Sequence, residues 1–135
     1  MKTDPQTEIE IIGILRQFAE AYSDRDIDWL MSFFAEDQDV VFIGPGVDEK
    51  CIGQDEIEEQ LTREWAETEN AHFEIGWIMV SGCDNVAWVA ADIVGSATIG
   101  KEQVLVNGRL TAVLEKRVDK WFWTQGHFSL PVTAE

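Results

Sequence analysis

Apolar residues recur at helical spacing in the first half of the chain and alternate with polar ones in the second. Ile11, Ile12, Leu15, Phe18, Ala19 and Tyr22 form one stripe, which leaves Glu8, Glu10, Arg16 and Glu20 free to face water. Asp4-Pro5 just ahead of it combines a capping carboxylate with a proline suited to the first helical position, so a helix is predicted to start there. Ser23-Asp24-Arg25-Asp26 breaks this helix and caps a short second one, whose apolar side is Trp29, Leu30, Phe33 and Phe34. Residues 40–43, β-branched and aromatic, predict a strand. Gly44-Pro45-Gly46 turns the chain, and residues 50–52 return as the second arm of a small hairpin. A third helix follows Gly53. Asp55 and Glu56 suit the dipole of its first turn, and Ile57, Leu61 and Trp65 mark its buried face.

From residue 72 onward the pattern is a strand meander. The expected strands are 72–80, 86–97, 104–115 and 121–130, with Ser81-Gly82-Cys83-Asp84-Asn85, Gly100-Lys101 and Val118-Asp119-Lys120 as turns and Pro131 as the stop. Strict alternation places Phe73, Ile75, Trp77 and Met79 on one side of the first. It sets Trp88, Ala90, Asp92 and Val94 against Val89, Ala91 and Ile93 on the second. The third strand carries Leu105, Asn107, Arg109, Thr111 and Val113 on one side. The last carries Trp121, Trp123, Gln125, His127 and Ser129. Helices followed by antiparallel strands give an α+β class, and residues 1–135 fit one domain without a linker. Large apolar residues stand on both faces of the strands. One face can pack on the helices; the other predicts a homodimer formed through the sheet.

Composition narrows the function. Hydrophobic residues make up 45 % of the chain, enough for a packed core, and six tryptophans with seven phenylalanines supply walls for a core, a pocket or an interface. The formal charge of −16, from 26 acidic and 10 basic residues, argues against nucleic acid and anionic membranes as partners. It reads first as a solvated acidic shell and second as a means of attracting a cationic partner. No stretch approaches the roughly 18 apolar residues of a membrane-spanning helix, and the N-terminal residues lack the basic and apolar regions of a secretory signal. Cys51 and Cys83 are far apart and belong to no CxxC motif, so free thiols in the cytoplasm are expected. Metal-ligand spacings, phosphate-binding glycine motifs and a nucleophile elbow are all missing, and no cofactor is expected.

The order helix, short helix, hairpin, helix and long strands resembles the NTF2-like superfamily. The stretch AYSDRDIDWLMSFFAED at 21–37 resembles its opening, and GRLTAVLEK at 108–116, KWFW at 120–123 and HFS at 127–129 resemble the closing strands of SnoaL-like proteins. The C-terminal stretches are also similar to the association domain of calmodulin-dependent kinases. The resemblance implies a cone-shaped fold, with three N-terminal helices on a curved antiparallel or mixed sheet around a pocket. It also implies dimers through the sheet. Members of the superfamily include isomerases, dehydratases, cyclases and binding modules, so the site must carry the functional argument. Ketosteroid isomerisation needs a carboxylate base and hydrogen-bond donors to an oxyanion. The resemblance puts Phe18 where the tyrosine donor would fall and Phe42 or Ile43 where the base would fall, and neither can act. Tyr22, one helical turn along from Phe18, can supply a hydroxyl.

His127, Asp92 and Tyr22 are the catalytic candidates. An imidazole transfers protons near neutral pH, and an acid within an apolar strand is open to a large pKa shift. Arg109 can bind a carboxylate. Thr111, Ser129, Trp88 and Trp123 complete the ligand-binding candidates. Each has a structural alternative: His127 bonded to backbone or across a dimer, Arg109 paired with Asp92, the tryptophans as plain core. The acidic run Glu56, Glu58, Glu59, Glu64, Glu67 and Glu69 reads as the solvated side of the third helix. The leading expectation is a pocket protein for a small, partly apolar ligand, with isomerisation, cyclisation or dehydration as the chemistries open to it. The alternative is a non-catalytic association module.

Overall fold

Asp4 caps the first helix as its position demands, its carboxylate accepting from the Thr7 N–H at 2.8 Å in a computed structural model that describes residues 1–132. Helix α1 spans Pro5–Asp24 and buries Ile11, Leu15 and Ala21. It ends at Arg25, whose φ of 57° is left-handed. The Arg25 guanidinium reaches the carbonyls of Trp65 and Thr68 at 2.5 and 2.8 Å, ending the last turn of the third helix, whose carbonyls have no partner within their own helix. Asp26 caps α2 (Ile27–Met31) through the Trp29 N–H at 3.1 Å. Strands β1 (Val41–Ile43) and β2 (Lys50–Ile52) form the expected hairpin, and α3 (Gln54–Glu67) buries Ile57, Leu61 and Trp65.

The four long strands are β3 (Asn70–Cys83), β4 (Val86–Ile99), β5 (Glu102–Arg117) and β6 (Lys120–Ser129). The first three extend beyond their expected limits. Hairpin pairing continues past the point where one face stops being buried, and alternation marks only the half-buried stretch. The sheet is mixed and six-stranded in the order β2-β1-β6-β5-β4-β3, with β1 parallel to β6 and every other pair antiparallel. It curves without closing. Its inner face packs on the helices through Val89, Ala91, Leu110, Ala112, Leu114 and Trp123.

Two β-bulges overturn the expected facing of two strands. On β3, Ile75 pairs with Ile93 and Ile78 with Ala91, so Gly76 and Trp77 together oppose Asp92. Phe73 and Ile75 pack on the core, whereas Trp77 and Met79, expected beside them, are 54 % and 59 % exposed on the outer face. On β6, Trp123 pairs with Leu114 and Gln125 with Val113, which leaves Thr124 as the extra residue. Trp121 and Trp123 are buried; Gln125, His127 and Ser129, expected on the same side, point outward. The Thr124 hydroxyl donates to the Val113 carbonyl at 3.1 Å across the bulge.

Candidate ligand cavity

Between the helices and the inner face of the sheet lies a cavity of about 210 Å³. The amphipathic stripe of α1 supplies Leu15, Phe18 and Tyr22, α3 supplies Ile57 and Leu61, and the sheet supplies Trp123 and Phe128. Aromatic contacts set the wall. Phe18 stacks on Trp123 with ring centroids 4.5 Å apart and planes 20° apart, and Phe34 and Phe42 meet edge to face at 5.9 Å. Trp123 is fully buried, and its indole N–H has no hydrogen-bond partner.

The polar groups of this cavity gather at one side. The Tyr22 hydroxyl donates to Glu64 Oε2 at 2.9 Å. The Gln60 amide nitrogen donates to Glu49 Oε1 at 3.2 Å and Glu64 Oε1 at 3.3 Å, so one amide joins both carboxylates. The Arg63 guanidinium donates to the Gln60 carbonyl oxygen and orients that amide. Burial pushes the Glu64 carboxyl above the usual carboxylate range. Hydrogen bonds from Tyr22 and Gln60 oppose the rise, and the charges of Glu49 and Glu67 add to it. Burial, reinforced by Glu64, holds the Tyr22 phenol far above its ordinary value, so it acts as a donor and not as a phenolate. The Cys51 thiol, also on the wall, is pushed up by burial and stays protonated. Among the described residues that line it, none is lysine, arginine or histidine.

Of the residues singled out in the sequence, Tyr22 and Trp123 line this cavity. The other six lie together on the outer face of the sheet. Thr111 pairs with His127, Arg109 with Ser129 and with Asp92, and Trp88 with Val113 one row away. All six are exposed. Asp92 and Arg109 are register partners, yet the four ion pairs among the described residues do not include them. Phe18 and Phe42 both face the cavity and bring no polar atom to it. The carboxylate comes instead from α3: Glu64, expected on the solvated side, turns inward beside Tyr22. One signal for it was present. Gln60 and Glu64 each follow a buried residue, Ile57 and Leu61, by three positions, which puts them on the flank of the apolar stripe. Among the described residues no cluster of three or more His, Cys, Asp or Glu is arranged to hold a metal ion, and no helix is long and apolar enough to cross a membrane.

Residues 11–133 match the SnoaL-like domain. The chain belongs to the SnoaL-like family. No protein with a curated description matches this SnoaL-like chain. Among solved structures it is similar to an NTF2-like superfamily protein from Salmonella enterica serovar Typhimurium, at 16 % identity and a TM-score of 0.87, over 98 % of this chain and 96 % of that one. It is also similar to a protein from Streptomyces avermitilis, provisionally named a dehydratase of the NTF2-like family, at 20 % identity and a TM-score of 0.84, over 96 % and 100 % of the two chains. A third, from Novosphingobium aromaticivorans and provisionally named an aromatic ring hydroxylase, shares 21 % identity with a TM-score of 0.86 over 98 % and 94 %. At these identities the likeness to solved structures speaks for the fold alone.

Proposed function

We propose that this SnoaL-like domain binds a compact, mostly apolar small molecule in the inner cavity and performs acid–base chemistry on it through Glu64 and Tyr22. The observation that carries this reading is the 2.9 Å hydrogen bond between the two at the polar side of an otherwise aromatic and aliphatic cavity. A carboxyl raised by burial can both give and take a proton nearer neutral pH than an exposed one. A neutral phenol beside it can donate to an oxygen on which charge develops. Proton abstraction next to a carbonyl, or loss of water from a hydroxylated ring, uses these two roles, giving an isomerase, cyclase or dehydratase. The dehydratase name carried by one relative of the same fold is in keeping with this.

The test pairs cavity variants with outer-face variants. Once a ligand is found by screening, Glu64→Gln and Tyr22→Phe should lower turnover at least tenfold, while His127→Ala and Arg109→Ala leave it within twofold. The opposite order would move the site to the outside of the sheet.

The outer face favours a second role. Trp77, Met79 and Val94 are at least half exposed there and Trp88 is 40 % exposed, an apolar area that self-association would cover. We propose a homodimer through this face, with Thr111, His127, Arg109 and Ser129 at or near the interface. Trp88→Glu should turn a dimer into a monomer in light scattering. An association module without ligand chemistry would form oligomers larger than dimers and bind nothing in its cavity.

A further inference from the structure

The cavity combines two features that constrain its occupant. Its wall is aromatic, with Phe18, Phe42, Phe73, Phe128, Tyr22 and Trp123 around the space. Among the described residues its ionisable lining groups are two carboxyls, Glu49 and Glu64, and two groups that burial keeps protonated, Tyr22 and Cys51, so no lining group can bring a positive charge. Glu49 and Glu64 take no part in the ion pairs found among the described residues. The two arginines nearby are engaged elsewhere: Arg63 on the Gln60 carbonyl oxygen, Arg25 on the carbonyls of Trp65 and Thr68. Glu49 is half-buried and held from two sides, its Oε2 accepting from the Gly46 N–H at 2.5 Å and its Oε1 from Gln60. A carboxylate withdrawn from water gains most from a charged partner that the cavity itself can admit.

We infer that the ligand is a compact apolar molecule bearing a protonated amine, seated at Glu49 and Glu64 with its body among the aromatic rings. This rests on the cavity's being the ligand site and names the class of molecule that fits it. An anionic ligand would meet two carboxylates with no cation to offset them. An ammonium group gains hydrogen bonds to both, along with attraction to the faces of the surrounding rings. Ligand cations also approach down the field of a chain with a net charge of −16. Glu49 is then the residue that selects for charge, which leaves Glu64 beside Tyr22 for proton transfer.

Three probes with the same body and different polar ends test this: 2-phenylethylamine, 2-phenylethanol and phenylacetate, titrated against the full chain and followed by the NMR signals of the Phe18, Tyr22 and Trp123 side chains. The amine should bind at least tenfold more tightly than phenylacetate, with the alcohol between them. Glu49→Gln, a change in a loop outside the core, should reduce the preference for the amine several-fold, and Glu49→Gln with Glu64→Gln should abolish it while the alcohol still binds. Phenylacetate binding as tightly as the amine, or an amine preference that survives in the double variant, overturns the inference and leaves the cavity reading standing. If none of the three shifts the cavity signals, the cavity reading falls and this inference with it.

Discussion

The hydroxyl of Tyr22, in the last turn of α1, meets Glu64 Oε2 at 2.9 Å across 42 residues of sequence. The contact lowers what burial raises, because a hydrogen bond to the carboxylate favours its ionised form. Tyr22→Phe removes the donor and keeps the ring contacts with Trp65 and Phe73. A stability loss of about 1–2 kcal/mol is expected in urea denaturation, the cost of a half-satisfied buried carboxyl. The Glu64 pKa, followed by carboxyl NMR, should climb further.

Glu64 also makes stability depend on pH in an uncommon direction. Its raised carboxyl keeps a proton in the folded state at pH values where the unfolded chain has already released one. The groups that face it are Tyr22 on α1, Glu49 in the loop between β1 and β2, and Gln60 and Glu67 on α3. Stability from this group is full below the ordinary glutamate pKa and falls as pH rises through the folded value. Asp37 acts the other way. Its hydrogen bonds with Arg117 hold it below its usual value, so its contribution is lost as pH falls below the ordinary aspartate range. Urea midpoints for the natural protein and Glu64→Gln, taken from about pH 4 to about pH 8, should diverge with rising pH, the variant being more stable by roughly 1 kcal/mol at the upper end.

Gly108, on the inner face of β5, leaves room for an aromatic ring of the cavity wall. A Cβ there would lie 2.5 Å from Phe128 Cζ and 2.7 Å from the Ser129 carbonyl oxygen. Gly108→Ala should cost about 1–3 kcal/mol by overpacking. It should also push the Phe128 ring, so any cavity ligand binds more weakly than the loss of stability alone would explain. Denaturation and ligand titration on the same sample separate the two effects.

Val118, at the tip of the β5–β6 hairpin, is 96 % exposed and has a φ of 59°, a left-handed conformation that β-branched side chains resist. Nothing packs on it to repay the strain. Val118→Asn should stabilise the protein by about 1 kcal/mol, seen as a higher urea midpoint with no change in cavity binding.

The Thr124 bulge decides which residues of β6 face the cavity. Deleting Thr124 restores alternation and forces either the buried Trp121 and Trp123 outward or His127 and Ser129 inward, so the deletion should fail to fold by circular dichroism. Thr124→Val keeps the residue count and loses the bond to the Val113 carbonyl, a cost of about 1 kcal/mol.

Local chemistry was legible in the sequence. Asp4-Pro5 and Asp26 cap the helices they precede, and Ile57, Leu61 and Trp65 face the core as their spacing requires, because caps and helical stripes depend on residues within one or two turns. The regular alternation of β4 also held, with Val89, Ala91 and Ile93 buried and Asp92 and Val94 exposed. Thr111 and His127, and Arg109 and Ser129, are register partners, since antiparallel pairing follows from short turns.

Which way that group faces was decided only in three dimensions. One extra residue in β6 and another in β3 reverse the facing of the residues beyond them; Thr124 reads as an ordinary strand residue, and Gly76, a glycine within a strand, is a cue to a bulge but not to its register. Glu64 was hidden for a different reason. Whether a glutamate on the flank of an apolar stripe turns to water or to a cavity depends on what stands opposite, and here it is Tyr22, brought there by the packing of α1 and α3 beneath the sheet. The chain order specified the elements. The space they enclose, and the two side chains that meet in it, follow from how the elements close on one another.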